Sequence, residues 1–291
     1  MDPAQPRRLP RRPLRAHHRH HPGRPPRPDR PLLSTPRPAL SPPPEPVEGP
    51  RPALSPRPEP VEGPHRVLGV DGCPDGWVAV APDPGRTRVY TAPTLAAVIA
   101  RAEQDGPLAH VGVDIPIGLP GSGPRQADLL ARERLGRRRS SLFLTPVREA
   151  LETPDYAEAV TLNRARTGQG FSRQAFGLRT KVLEVDALVR AGGRVLLEVH
   201  PELSFATLAG APLAAGKKTW AGAVERRRLL AAAGIVLDAD LGPDPGRAGV
   251  DDVLDAGAAA WTALRVRDGR ATCLPDPPEP LPHGLTGAIW V

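Results

Sequence analysis

The sequence has too few cysteines for a disulfide framework or a zinc knuckle. It contains two, Cys73 and Cys273, which lie far apart and fit no metal-ligand spacing. It also has no hydrophobic run long enough to span a membrane, and its N-terminal segment lacks the apolar stretch of a signal peptide. We therefore expect a cytoplasmic protein with no membrane partner.

Lysine is scarce as well, with three residues among 39 basic side chains. Residues 1–66 contain thirteen arginines and six acidic residues, so this segment alone accounts for the formal net charge of +7. The remaining residues are formally neutral and lack the strongly basic surface of a general nucleic-acid binder. A local basic patch is still compatible with this neutrality.

Residues 1–66 have a composition that does not support a hydrophobic core. They hold 21 of the 40 prolines and five of the eight histidines, and residues 37–50 recur as 51–64 with one change. We expect a disordered or polyproline-like tail, followed by one folded domain at residues 67–291. The repeat suggests recently duplicated DNA, and the functional alternative is a basic arm for nucleic acid or a proline-rich ligand.

From residue 67 onward, apolar periodicity and turn residues predict an α/β fold. Three strands form a meander, a helix and a fourth strand follow, and a helical insertion precedes a fifth strand and two further helices. The predicted strands are 67–71, 77–81, 88–91, 110–114 and 194–199. The predicted helices are 93–104, 126–135, 156–166, 172–191, 220–233 and 251–265. This is the element order of the ribonuclease H-like fold, so we expect a mixed five-stranded sheet flanked by helices.

Four aspartates stand where a folded chain usually avoids charge. Asp71 and Asp114 follow short apolar runs, and Asp252 begins an alanine-rich helix that carries Asp255 one turn later. An ionised carboxylate at the tip of a core strand costs on the order of several kcal/mol unless it is hydrogen-bonded or binds a cation. Together the four predict a site for Mg²⁺ or Mn²⁺. Taken singly, each is also explained as a turn or helix cap.

Six separated motifs resemble one bacterial family. They are Asp71-Gly-Cys-Pro-Asp-Gly-Trp77, Asp114-Ile-Pro-Ile-Gly-Leu-Pro120, Gly136-Arg-Arg-Arg-Ser-Ser141, Lys181-Val-Leu-Glu-Val-Asp186, Glu198-Val-His-Pro-Glu202 and Asp251-Asp-Val-Leu-Asp255. In this order they resemble the domain of unknown function 429, a family described as predicted ribonuclease H-like nucleases. The likeness spans residues 67–291, and the last motif is also similar to the last-helix motif of Holliday-junction resolvases.

The resemblance implies a metal-dependent nuclease that hydrolyses phosphodiester bonds of DNA or RNA. Two Mg²⁺ or Mn²⁺ ions would activate the attacking water and stabilise the leaving oxygen. Asp71 would bridge the two ions, with Asp114 on one side and Asp252 or Asp255 on the other.

Glu198 is predicted to be an additional ligand or the catalytic base. The same motif contains Glu202, which could point inward instead and leave Glu198 as a strand-end residue. His200 between them could assist proton transfer, although a lone histidine before proline is more often structural.

A loop with three consecutive arginines is the predicted contact for substrate phosphates, because guanidinium and hydroxyl groups bind phosphate oxygens. The candidates are Arg137, Arg138, Arg139, Ser140, Ser141 and, from the fourth motif, Lys181. A solvated surface explains the arginine run equally well. A second run, residues 226–228, lies in a predicted helix and is most simply a solvated face.

Two other functions fit the same pattern. An ATP-dependent phosphotransferase or ATPase can share this core, but such proteins normally duplicate it to enclose the nucleotide, and only one copy fits in residues 67–291. A catalytically silent module would bind nucleic acid or protein, and the set of acids argues against it. DNA or RNA substrate, endonuclease or exonuclease action and oligomeric state are left open.

Overall fold

The described part of the chain begins at the first predicted strand. The structure is a computed structural model, and it describes residues 66–83, 85–238, 240–242 and 244–291. The segment for which the sequence predicts disorder, residues 1–66, lies outside the described residues except for Arg66. Within the described ranges, no helix combines the length and apolarity that a membrane crossing requires.

Seven strands form one mixed sheet in the order β3-β2-β1-β4-β5-β7-β6. They are β1 (Arg66–Cys73), β2 (Gly76–Asp83), β3 (Arg86–Ala92), β4 (Leu108–Val113), β5 (Leu196–Val199), β6 (Cys273–Pro280) and β7 (Thr286–Trp290). The first three are paired antiparallel, whereas β4, β5 and β7 extend the sheet parallel to β1. The predicted α/β class and mixed sheet are therefore confirmed.

The prediction of five strands was wrong, because two more strands follow the last helix. β7 pairs in parallel with β5 and antiparallel with β6. The sequence of β6, CLPDPPEP, argues against a strand because proline has no N–H to donate. β6 is an edge strand that pairs with β7 only near its two ends, so its central prolines lie outside the ladder.

The described residues contain nine α-helices and two 3₁₀ helices. The α-helices are α1 (Leu95–Glu103), α2 (Gln126–Leu135), α3 (Arg148–Glu152), α4 (Tyr156–Thr167), α5 (Arg173–Gly177), α6 (Arg179–Arg190), α7 (Pro201–Ala209), α8 (Trp220–Ala232) and α9 (Val250–Arg267). The 3₁₀ helices are Gly136–Ser141 and Pro282–Gly284. The helix predicted at 172–191 is divided into α5 and α6 by a turn at Leu178, and the sequence patterns missed α3 and α7.

The two faces of the sheet have separate hydrophobic cores. Leu68 and Val70 of β1 pack with residues of α1 and α6. Residues of β2 that point the other way pack with α7, α8 and α9. Because side chains alternate along a strand, Gly69 and Asp71 face the α9 side.

Two glycines of the sheet allow α9 to lie directly on the backbone of β1 and β4. A Cβ atom at Gly69 would be 2.0 Å from the backbone nitrogen of Ala260 and 2.1 Å from the carbonyl oxygen of Ala256. A Cβ at Gly112 would be 2.7 Å from the carbonyl oxygen of Ala259. Any larger residue at either position would therefore move the helix or the sheet.

We expect Gly69→Ala to lower the free energy of unfolding by about 2 kcal/mol or more, because the new methyl group collides with backbone atoms that cannot rotate away. Gly193→Ala is the matched control, since a Cβ there meets no atom within 4 Å. Urea unfolding of both variants measures the effect. Equal stability of the two variants would show that α9 is not packed this closely on β1.

Candidate metal centre

Three aspartates meet on the α9 side of the sheet. Val70 of β1 is in register with Val113 of β4, so the residues that follow, Asp71 and Asp114, lie side by side on neighbouring parallel strands. Asp255 comes from the second turn of α9. One carboxylate oxygen of each aspartate lies within 4.8 Å of the others. The structure therefore brings together three of the four predicted ligands.

Burial is the main cause that raises the pKa of each member of this cluster, and the charges of neighbouring carboxylates add to it. Burial, followed by the charges of Asp114 and Asp255, raises the pKa of Asp71 well above its ordinary value. Burial and the charge of Asp255 raise the pKa of Asp114 to about 8. Burial raises the pKa of Asp255 to about 6, even though an ion pair opposes the change. Ionisation of all three carboxylates at this place is therefore unfavourable.

A lysine that the sequence patterns did not reveal lies against the cluster. Lys217 Nζ is 2.5 Å from Asp255 Oδ2 and 4.0 Å from Asp251 Oδ2. Burial lowers the pKa of Lys217, but the charge and hydrogen bond of Asp255 more than offset this, so the pKa lies above its ordinary value. One signal was present in the composition: in a chain with three lysines among 39 basic residues, each lysine is informative.

Asp252, the fourth predicted ligand, is engaged at the start of its own helix. Its Oδ2 accepts a hydrogen bond from the backbone nitrogen of Gly249 at 3.0 Å, which is the capping role that the sequence left open. Its charge contributes to the raised pKa of Asp71. Of the two predicted ligands on α9, Asp255 is the one that is buried in the cluster.

Glu198 is directed away from the three aspartates. It is in register with Val113 and not with Asp114, so the pleat of the sheet points it to the face opposite the cluster. Its carboxylate accepts hydrogen bonds from Arg125 at 2.7 and 2.8 Å and from the backbone nitrogen of Ile117 at 2.8 Å. These contacts hold the loop after Asp114, and the charge of Glu198 also contributes to the raised pKa of Asp114.

Arg125 is fully buried and connects this loop to α2. It pairs with Asp128 at 2.5 Å in addition to Glu198, and it donates to the carbonyl oxygen of Ile117 at 3.0 Å. Asp128 in turn accepts from the backbone nitrogen of Thr145 at 2.7 Å. The network therefore orders two loops around one guanidinium.

The predicted phosphate-binding run lies on the 3₁₀ helix Gly136–Ser141 and divides into two groups. The exposed members are Arg137, Arg139, Ser140 and Ser141. Arg138 instead donates to the carbonyl oxygens of Leu213 and Ala214, each at 2.8 Å. Arg138 therefore fixes the loop that leads to Lys217, while the exposed group faces solvent.

Lys181, the remaining predicted phosphate contact, is on the other face of the sheet. Its ammonium donates to the carbonyl oxygen of Gly76 and lies 4.7 Å from the centroid of the Trp77 ring. Its side chain also covers Gly72, whose face is opposite to that of Asp71. The ammonium is engaged at the turn between β1 and β2.

The solvated face predicted for residues 226–228 is wrong for Arg226, which is fully buried. Its guanidinium donates to Glu202 at 2.6 Å and to the carbonyl oxygen of Ala215 at 3.2 Å. The next two arginines are exposed. A helix turns about 100° per residue, so one of three consecutive arginines faces the interior.

Glu202, in the motif around His200, affects the clustered aspartates through its negative charge. The charge of Glu202, in the first turn of α7, helps to raise the pKa of both Asp114 and Asp255. Burial lowers the pKa of His200 to about 4, so the imidazole is neutral at physiological pH. Its Nδ1 is buried and has no hydrogen-bond partner among the described residues. The acid of this motif that acts on the cluster from the α9 side is therefore Glu202.

Residues 69–280 match a family model described as protein of unknown function (DUF429). The chain belongs to the DUF429 family. The matched segment includes the three clustered aspartates and Lys217. No curated protein and no solved structure matches the chain. The family suggested by the six motifs is thus confirmed, and membership of DUF429 carries no assigned activity.

In metal-free buffer, we expect the DUF429 domain to lose thermal stability as the pH rises from about 4 to about 8. An unfolded aspartate titrates near pH 4, whereas the folded pKa is about 8 for Asp114 and about 6 for Asp255. These two aspartates therefore bind more protons in the folded state than in the unfolded state, and their combined effect exceeds the opposite one of His200, whose pKa burial lowers to about 4, so stability falls with rising pH. Melting temperatures in EDTA between pH 5 and pH 8 measure the change.

Asp114→Asn should flatten this pH dependence and raise the melting temperature at pH 8, because one of the repelling charges is gone. Asp238→Asn, at an exposed position, should behave as the wild type does. If Asp114→Asn and the wild type had parallel pH profiles, the cluster would not be the cause of the pH dependence.

Glu198→Gln should destabilise the fold while leaving metal binding intact. The substitution leaves the buried guanidinium of Arg125 with Asp128 as its remaining carboxylate, and breaking a buried ion pair costs roughly 3 kcal/mol or more. The rise in melting temperature on addition of Mn²⁺ should persist. Unchanged metal-free stability together with loss of the Mn²⁺ effect would make Glu198 a metal ligand.

Proposed function

We propose that this DUF429 protein is a metal-dependent nuclease of the ribonuclease H-like type, which hydrolyses phosphodiester bonds of DNA or RNA with Mg²⁺ or Mn²⁺. The convergence of carboxylates from β1, the end of β4 and α9 within 4.8 Å carries the proposal. In the ribonuclease H-like fold, the acids of the active site come from the first strand, the fourth strand and the last helix.

The order of the elements supports the same fold. An antiparallel meander is followed by a helix, a parallel strand beside β1, a helical insertion, another parallel strand and the helix that crosses the sheet. β6 and β7 extend this arrangement beyond β5 without separating β1 from β4. The two strands that carry the first two acids remain adjacent.

The chemistry of the three side chains fits a hard divalent cation. Mg²⁺ and Mn²⁺ prefer oxygen ligands, and every member of the cluster is a carboxylate. A cation would offset the burial and the repulsion that raise their pKa values. A divalent ion held by Asp71, Asp114 and Asp255 would polarise a phosphate and lower the pKa of a bound water.

Exposed cationic and aromatic side chains around the loop of Lys217 favour a nucleic-acid substrate. Arg137 and Arg139 are exposed on the 3₁₀ helix that contacts this loop. Trp220, at the start of α8, is 85% exposed. Cationic side chains bind phosphates of any sequence, and an exposed indole can stack on a base.

Asp71→Asn is expected to abolish hydrolysis and most of the Mn²⁺-dependent rise in melting temperature, because it removes the ligand charge at almost constant volume. In wild type, stabilisation should grow with Mn²⁺ concentration, as for any ligand bound only by the folded state. Asp238→Asn, an exposed aspartate, is the control and should retain both properties. The assay compares single-stranded, duplex, hybrid and branched nucleic acids with ATP.

Three results would contradict the proposal. First, the wild type could show no Mn²⁺-dependent stabilisation while Asp71→Asn lowers the free energy of unfolding by about 1 kcal/mol, as the loss of a cap does. In that case the acids are structural. Phosphate release from ATP without cleavage of any nucleic acid would favour a phosphotransferase or ATPase. Binding of nucleic acid without cleavage at any Mn²⁺ concentration would indicate a catalytically silent module.

A further inference from the structure

Lys217 places its own ammonium group beside one of the three clustered carboxylates. Its Nζ is 2.5 Å from Asp255 Oδ2, which is itself one residue from the close contact of α9 with β1. The three ionised aspartates and one ammonium leave a formal charge of two negative units at the cluster. One divalent ion neutralises this remainder.

The other acids near the cluster already have partners. Glu202 is paired with Arg226 at 2.6 Å, and Asp252 accepts a hydrogen bond from the backbone nitrogen of Gly249, the residue before α9. They influence the cluster by their charge, but their carboxylates are not among the converging group. A second divalent ion would therefore have to compete with Lys217 for Asp255.

The loop that carries Lys217 is fixed independently of this ion pair. Four consecutive carbonyl oxygens accept hydrogen bonds of 2.8–3.2 Å, from Arg138 to Leu213 and Ala214, from Arg226 to Ala215, and from Thr219 to Gly216. The two arginines come from different elements, the 3₁₀ helix Gly136–Ser141 and α8. The position of the Lys217 backbone is therefore set before any cation binds.

The same loop is in close contact with α8 at Gly216. A Cβ atom at Gly222 of α8 would lie 2.0 Å from the carbonyl oxygen of Gly216. The helix backbone therefore packs directly against the loop, and the loop cannot retreat toward α8. Lys217 remains within reach of Asp255 unless its own side chain rotates away.

We propose that Lys217 is a built-in second cation of the metal centre. The site then takes one Mg²⁺ or Mn²⁺ per chain, held by Asp71 and Asp114 with a share of Asp255, while the ammonium stays on Asp255. This assignment rests on the proposed function, because it specifies the cations of that site. It replaces the two-ion arrangement that the sequence motifs imply.

The stoichiometry of Mn²⁺ binding to the full-length protein, measured by isothermal titration calorimetry, tests the assignment. Wild type should bind one ion per chain. Lys217→Met releases Asp255 and should bind two, whereas Lys217→Arg keeps the charge and should bind one. Lys218→Met removes the same charge from the exposed neighbouring position and should also bind one. Asp71→Asn measures the background, which is the Mn²⁺ bound by carboxylates on the surface.

Circular dichroism spectra and melting temperatures recorded with Mn²⁺ establish that each variant is folded. If Lys217→Met does not fold, the wild-type stoichiometry and Lys217→Arg still decide the question. Two ions bound by wild type, or one ion bound by folded Lys217→Met, would overturn the role of Lys217 and leave the nuclease proposal standing. Binding no higher than the Asp71→Asn background in every variant would remove both, because there would be no metal centre.

The metal dependence of nucleic-acid cleavage gives a second readout. Below saturation, the rate should be first order in Mn²⁺ for wild type and Lys218→Met. For Lys217→Met it should be second order, since a second ion must replace the ammonium. The same reaction order in wild type and Lys217→Met would contradict the assignment.

Discussion

The contact between α9 and the backbone of two sheet strands determines where the acids of the candidate site lie. Gly69 and Gly112 present no side chain on that face, so the alanine-rich side of α9 reaches the backbone of β1 and β4. Asp255 is the residue before Ala256, which makes the shortest approach to Gly69 together with Ala260. A helix held further from the sheet by ordinary side chains would leave its carboxylate too far from Asp71 and Asp114 to share a cation.

This arrangement places like charges together and opposes folding at neutral pH. The raised pKa values of the three aspartates reflect burial first and the charges of neighbouring carboxylates second. Functional sites commonly retain such unfavourable contacts because they disappear when the ligand binds. Lys217 reduces the repulsion at Asp255, and the buried guanidinium groups of Arg125 and Arg226 hold the surrounding loops.

Local sequence patterns predicted most elements and the identity of the clustered aspartates. An acid at the end of a buried run is unusual enough to be recognised without any partner in view, which is why Asp71 and Asp114 were identified. Glu198 follows a buried run in the same way, yet its carboxylate accepts hydrogen bonds from Arg125. The difference lies in the register of β5 on β4, and a one-residue step in register exchanges the two faces of a strand.

What the sequence determined by itself is the α/β class, the meander and the residues with charge in apolar surroundings, because these depend on local periodicity and composition. The family was recognised from the six separated motifs, which also need no tertiary contact. Only the tertiary structure decided which acids meet, since that depends on strand register and on the depth at which α9 packs. It also revealed Lys217 and the buried Arg226, whose roles depend on contacts between distant segments. The two strands after α9 were hidden for the same reason: an edge position makes a proline-rich strand possible, and position in a sheet is not a local property of the chain.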